Sequence, residues 1–277
     1  CGGIGIVSTA MQVTLSKHHG LGNDFLVYDL AQGDQHNWPE LAQRWCERST
    51  GIGADGLLLL GTKDTNNLTM RLYNADGSIA EMSGNGIRCL VQAAHASLDG
   101  DINTKYLIST DAGLREAMVM SEWEDNTIHV SVDMGHVTDL AEPSEWAGLQ
   151  CDPMRPVRHV SLGNPHSVVG VEEVQTVDLA HLGSVVPHVN LEIIEPGPET
   201  NAITMRVHER GAGITRACGT GACAAADAAL AWGLVPRSVE DVVVHMDGGD
   251  ARVRISPDRR ATLIGPAVFI GNVTVSA

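Results

Sequence analysis

Short apolar and β-branched runs alternate with polar turns along most of the chain. Leu57–Leu60, Leu68–Tyr73, Tyr106–Thr110, Met118–Met120, Thr127–Val132, Val157–Val160, Ile203–His208, Val242–Met246, Ala251–Ile255 and Ala267–Val275 have the lengths and residue types of strands. Asp76-Gly77 and Asp247-Gly248-Gly249 punctuate them and favour hairpins over long crossovers. Two stretches break the rhythm. Ile87–Leu98 and Ala222–Trp232 are rich in Ala and Leu, contain no Pro or Gly, and run into Asp99-Gly100 and Gly233. They predict two helices together with their stops. Ala222-Cys223-Ala224-Ala225-Ala226 is small on every face, which suits a helix passing through a wrapped sheet better than one covering a sheet from outside.

The same local order occurs twice, and internal similarity bears on the whole fold. Residues 21–25 read LGNDF and residues 162–166 read LGNPH, each after a basic, His-containing stretch (Lys17-His18-His19; Arg158-His159) and before an apolar run. Ser83-Gly84-Asn85-Gly86 then matches Cys218-Gly219-Thr220-Gly221. Two landmarks in one order, at offsets of 141 and 135 residues, predict two halves built alike. The segment from Asp133 to Arg155, with Pro143, Trp146 and Pro153, is the expected junction. Residues 1–10 read as an upstream, tag-like segment before a start at Met11.

Composition narrows the function classes. The chain has 277 residues, 43% hydrophobic and 19% charged, enough for a substantial core. Its 18 Lys+Arg against 34 Asp+Glu give a net charge of −16, which disfavours nucleic acid and anionic membrane surfaces as partners. Six cysteines without CxxC pairs, in a chain with no signal-peptide pattern, read as thiols of a cytoplasmic protein rather than a disulfide framework. The scattered histidines predict no metal site.

Chemistry concentrates at the two Gly-rich turns. A turn entering a helix presents backbone N–H groups at the positive end of the helix dipole, so it attracts an anion and is expected to lower the pKa of a thiol placed there. Cys218 occupies that place. If the halves face each other, Ser83 and Cys218 flank one ligand carbon. Stereoinversion requires that arrangement: one group removes a proton and the other returns one to the opposite face. The carbanion between them would be held by fixed donors, with no cofactor. Cys46, Cys89, Cys151 and Cys223 are expected to be inert, and His18, His19 and Asp24 structural.

These residues closely resemble the diaminopimelate epimerase family, whose members are cofactor-independent, two-thiol amino-acid epimerases. The resemblance runs from Met11 on and is carried by Gly22-Asn23-Asp24-Phe25, Asn74-Ala75-Asp76-Gly77-Ser78, Gly84-Asn85-Gly86, Gly163-Asn164-Pro165-His166, Val189-Asn190, and Glu209-Arg210 with Ala217-Cys218-Gly219-Thr220-Gly221. It implies an α/β (α+β) fold of two similar domains, each a mixed sheet curled round a central helix, with the active site in the cleft between them. The halves would cover 11–132 and 133–264, and a C-terminal strand at about 265–277 would return to the first. By the same resemblance, Asn23, Asn74, Asn164 and Asn190 would bind the amino-acid ends of the substrate. Gly84, Asn85, Gly219 and Thr220 would cradle the reacting carboxylate, with Glu209 and Arg210 beside it. His166 and Glu209 would support proton transfer at Cys218 and Ser83. A homodimer acting on diaminopimelate, in the route to lysine, is implied as well.

The chain departs from the family pattern at two positions. Ser83 stands where the family has its first catalytic thiol, and an alcohol accepts a proton only with help from a partner base. An engineered replacement, a natural variant with a helping neighbour and an altered function are all compatible with it. The altered functions in view are isomerisation or dehydration of another small amino or hydroxy acid, and amino-acid binding without full catalysis. Gly56, after Asp55, stands where many members carry a glutamine that contacts the distal end of the substrate.

Overall fold

The computed structural model describes residues 12–80, 82–122 and 125–277. The expectation about residues 1–10, and Cys1 with it, lies outside them. The first half contains β1 (Gln12–Gly20), β2 (Asn23–Asp29), α1 (Trp38–Cys46), β3 (Gly56–Thr62), β4 (Asn67–Asn74), β5 (Ile79–Ala80), α2 (Gly84–Ser97), β6 (Lys105–Thr110), β7 (Gly113–Glu122) and β8 (Thr127–His136). The second contains β9 (Thr138–Asp139), β10 (Val157–Ser161), β11 (Pro165–Gly170), α3 (Leu179–Val185), β12 (Asn190–Pro196), β13 (Ala202–Glu209), β14 (Gly213–Thr215), α4 (Gly219–Trp232), β15 (Val242–Met246), β16 (Gly249–Ile255) and β17 (Arg260–Ser276).

Pairing repeats strand for strand. In the first half β1–β2, β3–β4, β4–β5, β6–β7 and β7–β8 are antiparallel, while β2–β3 and β4–β6 are parallel. In the second, β10–β11, β12–β13, β13–β14, β15–β16 and β16–β17 are antiparallel, while β11–β12 and β13–β15 are parallel. The two halves are similar mixed α/β domains, and both close on a shared seam. The long β17 pairs with β8 from Arg260 to Val268, with β16 near its start, and with β1 over its last part.

Each curled sheet encloses one 14-residue helix, α2 or α4. Thr220 to Ala229 of α4 are all buried, which only small side chains permit at the close spacing of a wrapped sheet. Both helices start three residues earlier than the apolar pattern suggests, so the Gly-rich turns are their first turns. β3 is buried on both faces because α1 packs Trp38, Leu41 and Trp45 outside it, against Leu57, Leu59 and Tyr73. Among the described residues no helix is long and apolar enough to cross a membrane.

Candidate active site

The first turns of α2 and α4 meet. A Cβ built on Gly219 would sit 3.5 Å from Gly84 Cα and 2.9 Å from Leu263 Cδ2, a residue of the β17 seam. A Cβ on Gly84 would likewise meet Leu263 Cδ2 and Met134 Cε at 3.0 Å, so glycine lets both helix starts pack close against the seam. Their dipoles therefore present positive ends to the same place, an arrangement favourable to an anion between them.

Ser83 and Cys218 cap these helices in the same pose. Ser83 has φ −146° and ψ 120°, and its Oγ accepts the Gly86 N–H at 3.0 Å. Cys218 has φ −126° and ψ 116°, and its Sγ accepts the Gly221 N–H at 3.3 Å. The N–H groups of Gly84 and Asn85, and of Gly219 and Thr220, lie outside the intrahelical ladder as helix-start donors.

Around Ser83 the side chains form a relay. Arg88, wholly buried, donates from Nη2 to Asn85 Oδ1 (2.7 Å) and from Nε to the Pro266 carbonyl (3.0 Å). Asn85 Nδ2 donates to Asn23 Oδ1 at 3.1 Å and reaches across to the Ala217 carbonyl at 3.4 Å. Asn23 in turn donates to Asp55, which Arg48 holds at 2.7 Å. Burial lowers the Arg88 guanidinium to about 10, still a cation at neutral pH. Asn74 faces Gly56 in the β3–β4 ladder and donates to Ser78 Oγ. A side chain at Gly56 would meet the Tyr73 carbonyl at 2.7 Å, so this backbone has no room for the family's glutamine.

Around Cys218 the pattern is more polar. Thr220 Oγ1 lies 3.5 Å from Sγ and accepts from Asn164 Nδ2 at 3.3 Å; Asn164 Oδ1 lies 3.1 Å from His166 Nε2. Asn190 Oδ1 accepts the Arg210 backbone N–H, and Glu209 accepts from Thr215. Glu192 is the residue the sequence did not single out. It is fully buried on β12, with Oε1 2.7 Å from His166 Nδ1. A Cβ on Gly221 would lie 2.7 Å from the same Oε1 and 3.2 Å from Cys218 Sγ. A carboxylate inside the apolar run Leu191-Glu192-Ile193-Ile194 was the available signal.

One expectation is overturned. On balance the Cys218 thiol is raised, not lowered: burial, then the neighbouring acidic groups Glu209 and Glu192, push it well above its ordinary value, against the opposing hydrogen bonds from Thr220 and Gly221. Desolvation of a side chain this enclosed outweighs a partial dipole charge. The remaining cysteines take no part in these hydrogen bonds. Cys89 points into the core, where burial pushes it up to about 12, and Cys46 behaves the same way behind α1. His18 and Asp24 hold structural bonds, His18 to Gln92 and Asp24 to Arg48 and Lys17.

Comparison with known proteins places these motifs. The sequence profile of the diaminopimelate epimerase family matches residues 15–140 and 158–270. The chain is 37% identical over 290 residues to a diaminopimelate epimerase of Synechococcus elongatus, covering 96% of this chain and all of that one. It is 39% identical over 282 residues to one of Moorella thermoacetica, covering 92% and 96%. Among solved structures, a predicted epimerase from Pseudomonas aeruginosa superposes with a TM-score of 0.74 at 14% identity, over 96% of this chain and 99% of that one. A hydroxyproline epimerase from Agrobacterium vitis superposes at 0.65 and 17%, over 95% and 91%. At such identities these structures speak to the fold alone.

Proposed function

The chain belongs to the diaminopimelate epimerase family, and on that premise we propose how its residues do the work. It is an amino-acid epimerase that interconverts LL- and meso-diaminopimelate. Glu209 accepts the Cys218 thiol proton, and the thiolate so formed takes the α-proton from one face; the C–H bond breaks and its electron pair stays on the α-carbon. Ser83 Oγ–H gives a proton to the opposite face and becomes an alkoxide, and the proton held by Glu209 returns to it through solvent, which restores both groups for the next turn. The substrate carboxylate, which shares the carbanion's charge, sits on the N–H groups of Gly84, Asn85, Gly219 and Thr220. Asn23, Asn74, Asn164, Asn190 and the Glu209-Arg210 pair bind its polar ends, and His166 and Glu209 assist the two proton transfers.

The observation that carries this reading is the contact of two matched helix starts capped by Ser83 and Cys218. The serine makes one direction slow, because a thiol ionises near 8.5 and an alcohol near the value of water. Incubation with LL- and meso-diaminopimelate in deuterium oxide tests it by α-deuteration and stereoisomer composition. Ser83→Cys is expected to raise inversion at least ~100-fold and Cys218→Ala to abolish it. Equal rates in all three proteins would remove the opposed-base mechanism.

The fixed donors supply the stabilisation that pyridoxal phosphate gives other racemases, so the reaction runs without it. Free thiols at Cys46, Cys89, Cys151, Cys218 and Cys223 suit a reducing cytoplasm. A homodimer rests on the family resemblance, and sedimentation equilibrium decides it.

A further inference from the structure

Laying one half on the other by strand register exposes an asymmetry behind the two capping residues. Phe25 pairs with Gly56 across β2–β3, and His166 pairs with Asn190 across β11–β12, so Phe25 corresponds to His166 and Leu58 to Glu192. The glycines of the helix starts agree: a Cβ on Gly86 would meet Leu58 Cδ2 at 3.4 Å, and one on Gly221 would meet Glu192 Oε1 at 2.7 Å. Thus Ser83 is backed by an apolar pair and Cys218 by a carboxyl–imidazole pair, all of it buried.

We propose that Glu192 is a positioning residue that keeps its proton, donating it to His166 Nδ1, so that the pair behind Cys218 is uncharged when the thiolate forms there during the reaction. One observation places the imidazole hydrogen and two favour the neutral pair. Asn164 donates one Nδ2 hydrogen to Thr220 Oγ1, which leaves Oδ1 at His166 Nε2 and makes that nitrogen the N–H. In a neutral pair Nδ1 is then the acceptor, and the hydrogen in the 2.7 Å contact belongs to Glu192. Glu192 Oε2 has no hydrogen-bond partner among the described residues, a cost that a full carboxylate would feel more than a carboxylic acid. The titratable groups facing Glu192 are His166 on β11, Glu209 at the end of β13 and Cys218 on α4. Burial, with Glu209 adding, raises the Glu192 carboxyl, against the pull of His166. An anion at Glu192 would oppose a thiolate beside it; a carboxylic acid would not. No proton passes between the pair and sulfur in this scheme: the thiolate takes only the substrate's proton.

The inference rests on Cys218 being the base of the proposed function, and two of its readouts need no turnover. In protein labelled with 15N-histidine, with His166→Asn for assignment, His166 at neutral pH is expected to show a protonated Nε2 and an unprotonated, hydrogen-bonded Nδ1. Ultraviolet thiolate absorbance, with Cys218→Ser subtracted, follows the sulfur. Glu192→Gln, whose amide also donates to Nδ1, is expected to keep the tautomer, and to keep α-deuteration within ~3-fold of the parent. Glu192→Leu, the side chain the first half packs at this place, is expected to lose the fixed tautomer, shift the thiolate midpoint and reduce α-deuteration at least tenfold. Both nitrogens protonated in the parent protein would overturn the proposal, as would equal losses in Glu192→Gln and Glu192→Leu, or no loss in Glu192→Leu. If diaminopimelate is not deuterated at all, the function fails while the tautomer and thiolate readings still decide the pair.

Discussion

Ser83 and Cys218 differ by one atom in nearly one backbone pose, so exchanging them leaves the backbone as it is. Oxygen is the better helix cap and sulfur the better base. Ser83→Cys is therefore expected to cost up to ~1 kcal/mol of stability while it raises the inversion rate, a trade that a thermal melt beside the deuteration assay would register. His18 shows the same tension between burial and charge in a purely structural setting. Burial lowers its pKa to about 4, with neighbouring His19 lowering it further and the bond to Gln92 opposing. The folded state thus binds the proton less tightly than the unfolded chain, where the imidazole titrates near 6.5. Its neutral form contributes stability that is fully present above 6.5 and is lost as the pH falls toward 4, up to about 3 kcal/mol. Denaturant melts across that window should show the slope, and His18→Gln should flatten it. Its role as a structural histidine was legible from sequence, but its depressed pKa was not, because desolvation depends on what β1 and α2 enclose together. The same reason hid the true direction of the Cys218 shift.

Elements were legible where the residues themselves carry the signal. The Ala-rich run of α4 and the repeated glycine turns pointed to central helices and a duplicated frame, and the structure has both. The outer helices α1 and α3 escaped: α1 has Pro39 in its first turn and a buried face of Trp38, Leu41, Ala42 and Trp45, but its nine residues sit between strand-like runs that dominate the pattern. Glu192 escaped because acidic residues are ordinarily solvated, and only the β11–β12 register brings His166 to it. The duplication supplies its own control for that pair. His166→Phe with Glu192→Leu writes Phe25 and Leu58 into the second half, where the frame already accepts them in the first. The double variant is expected to melt no lower than Glu192→Leu alone, since replacing a buried polar pair by a packed apolar one is often neutral or stabilising. Gly221→Ala should behave oppositely, pressing a methyl against Glu192 Oε1 and Cys218 Sγ. We expect it to reduce α-deuteration more than Gly86→Ala, whose methyl would meet only Leu58 and Ser83 at 3.2–3.4 Å.

For the whole molecule, two similar halves become one active site through β8 and β17. The sequence marked Ala267–Val275 as a strand, but β17 begins at Arg260, and Ala261–Ile264 of the added stretch join β16 of the second half to β8 of the first. Continuity matters because Leu263, midway along the seam, lies under both Gly84 and Gly219 and sets where the two helix starts meet. The seam is also tied to α4. Arg259, at the turn into β17, binds buried Asp227 with two parallel bonds of 3.0 and 2.9 Å and reaches Asp139 at 3.0 Å, while Arg158 adds a second cation at 2.8 Å. Removing one partner from a buried ion pair strands the other in an apolar core, at a cost of about 3–5 kcal/mol, and Arg158 would relieve part of it. Arg259→Ala is accordingly expected to lower stability by about 2–3 kcal/mol, and Asp227→Ala in the same protein to return part of the loss, since α4 is otherwise built from alanine at such positions. Truncation after Gly265 goes further. It strips the partner of β1 and the Pro266 carbonyl that receives Arg88 Nε, opening the first sheet along its seam. We expect that variant to lose cooperative unfolding by circular dichroism and to be cut by protease within the first half. A sharp melt with the first half still protected would mean that half closes without β17, and the single-seam account of the active site would fall with it.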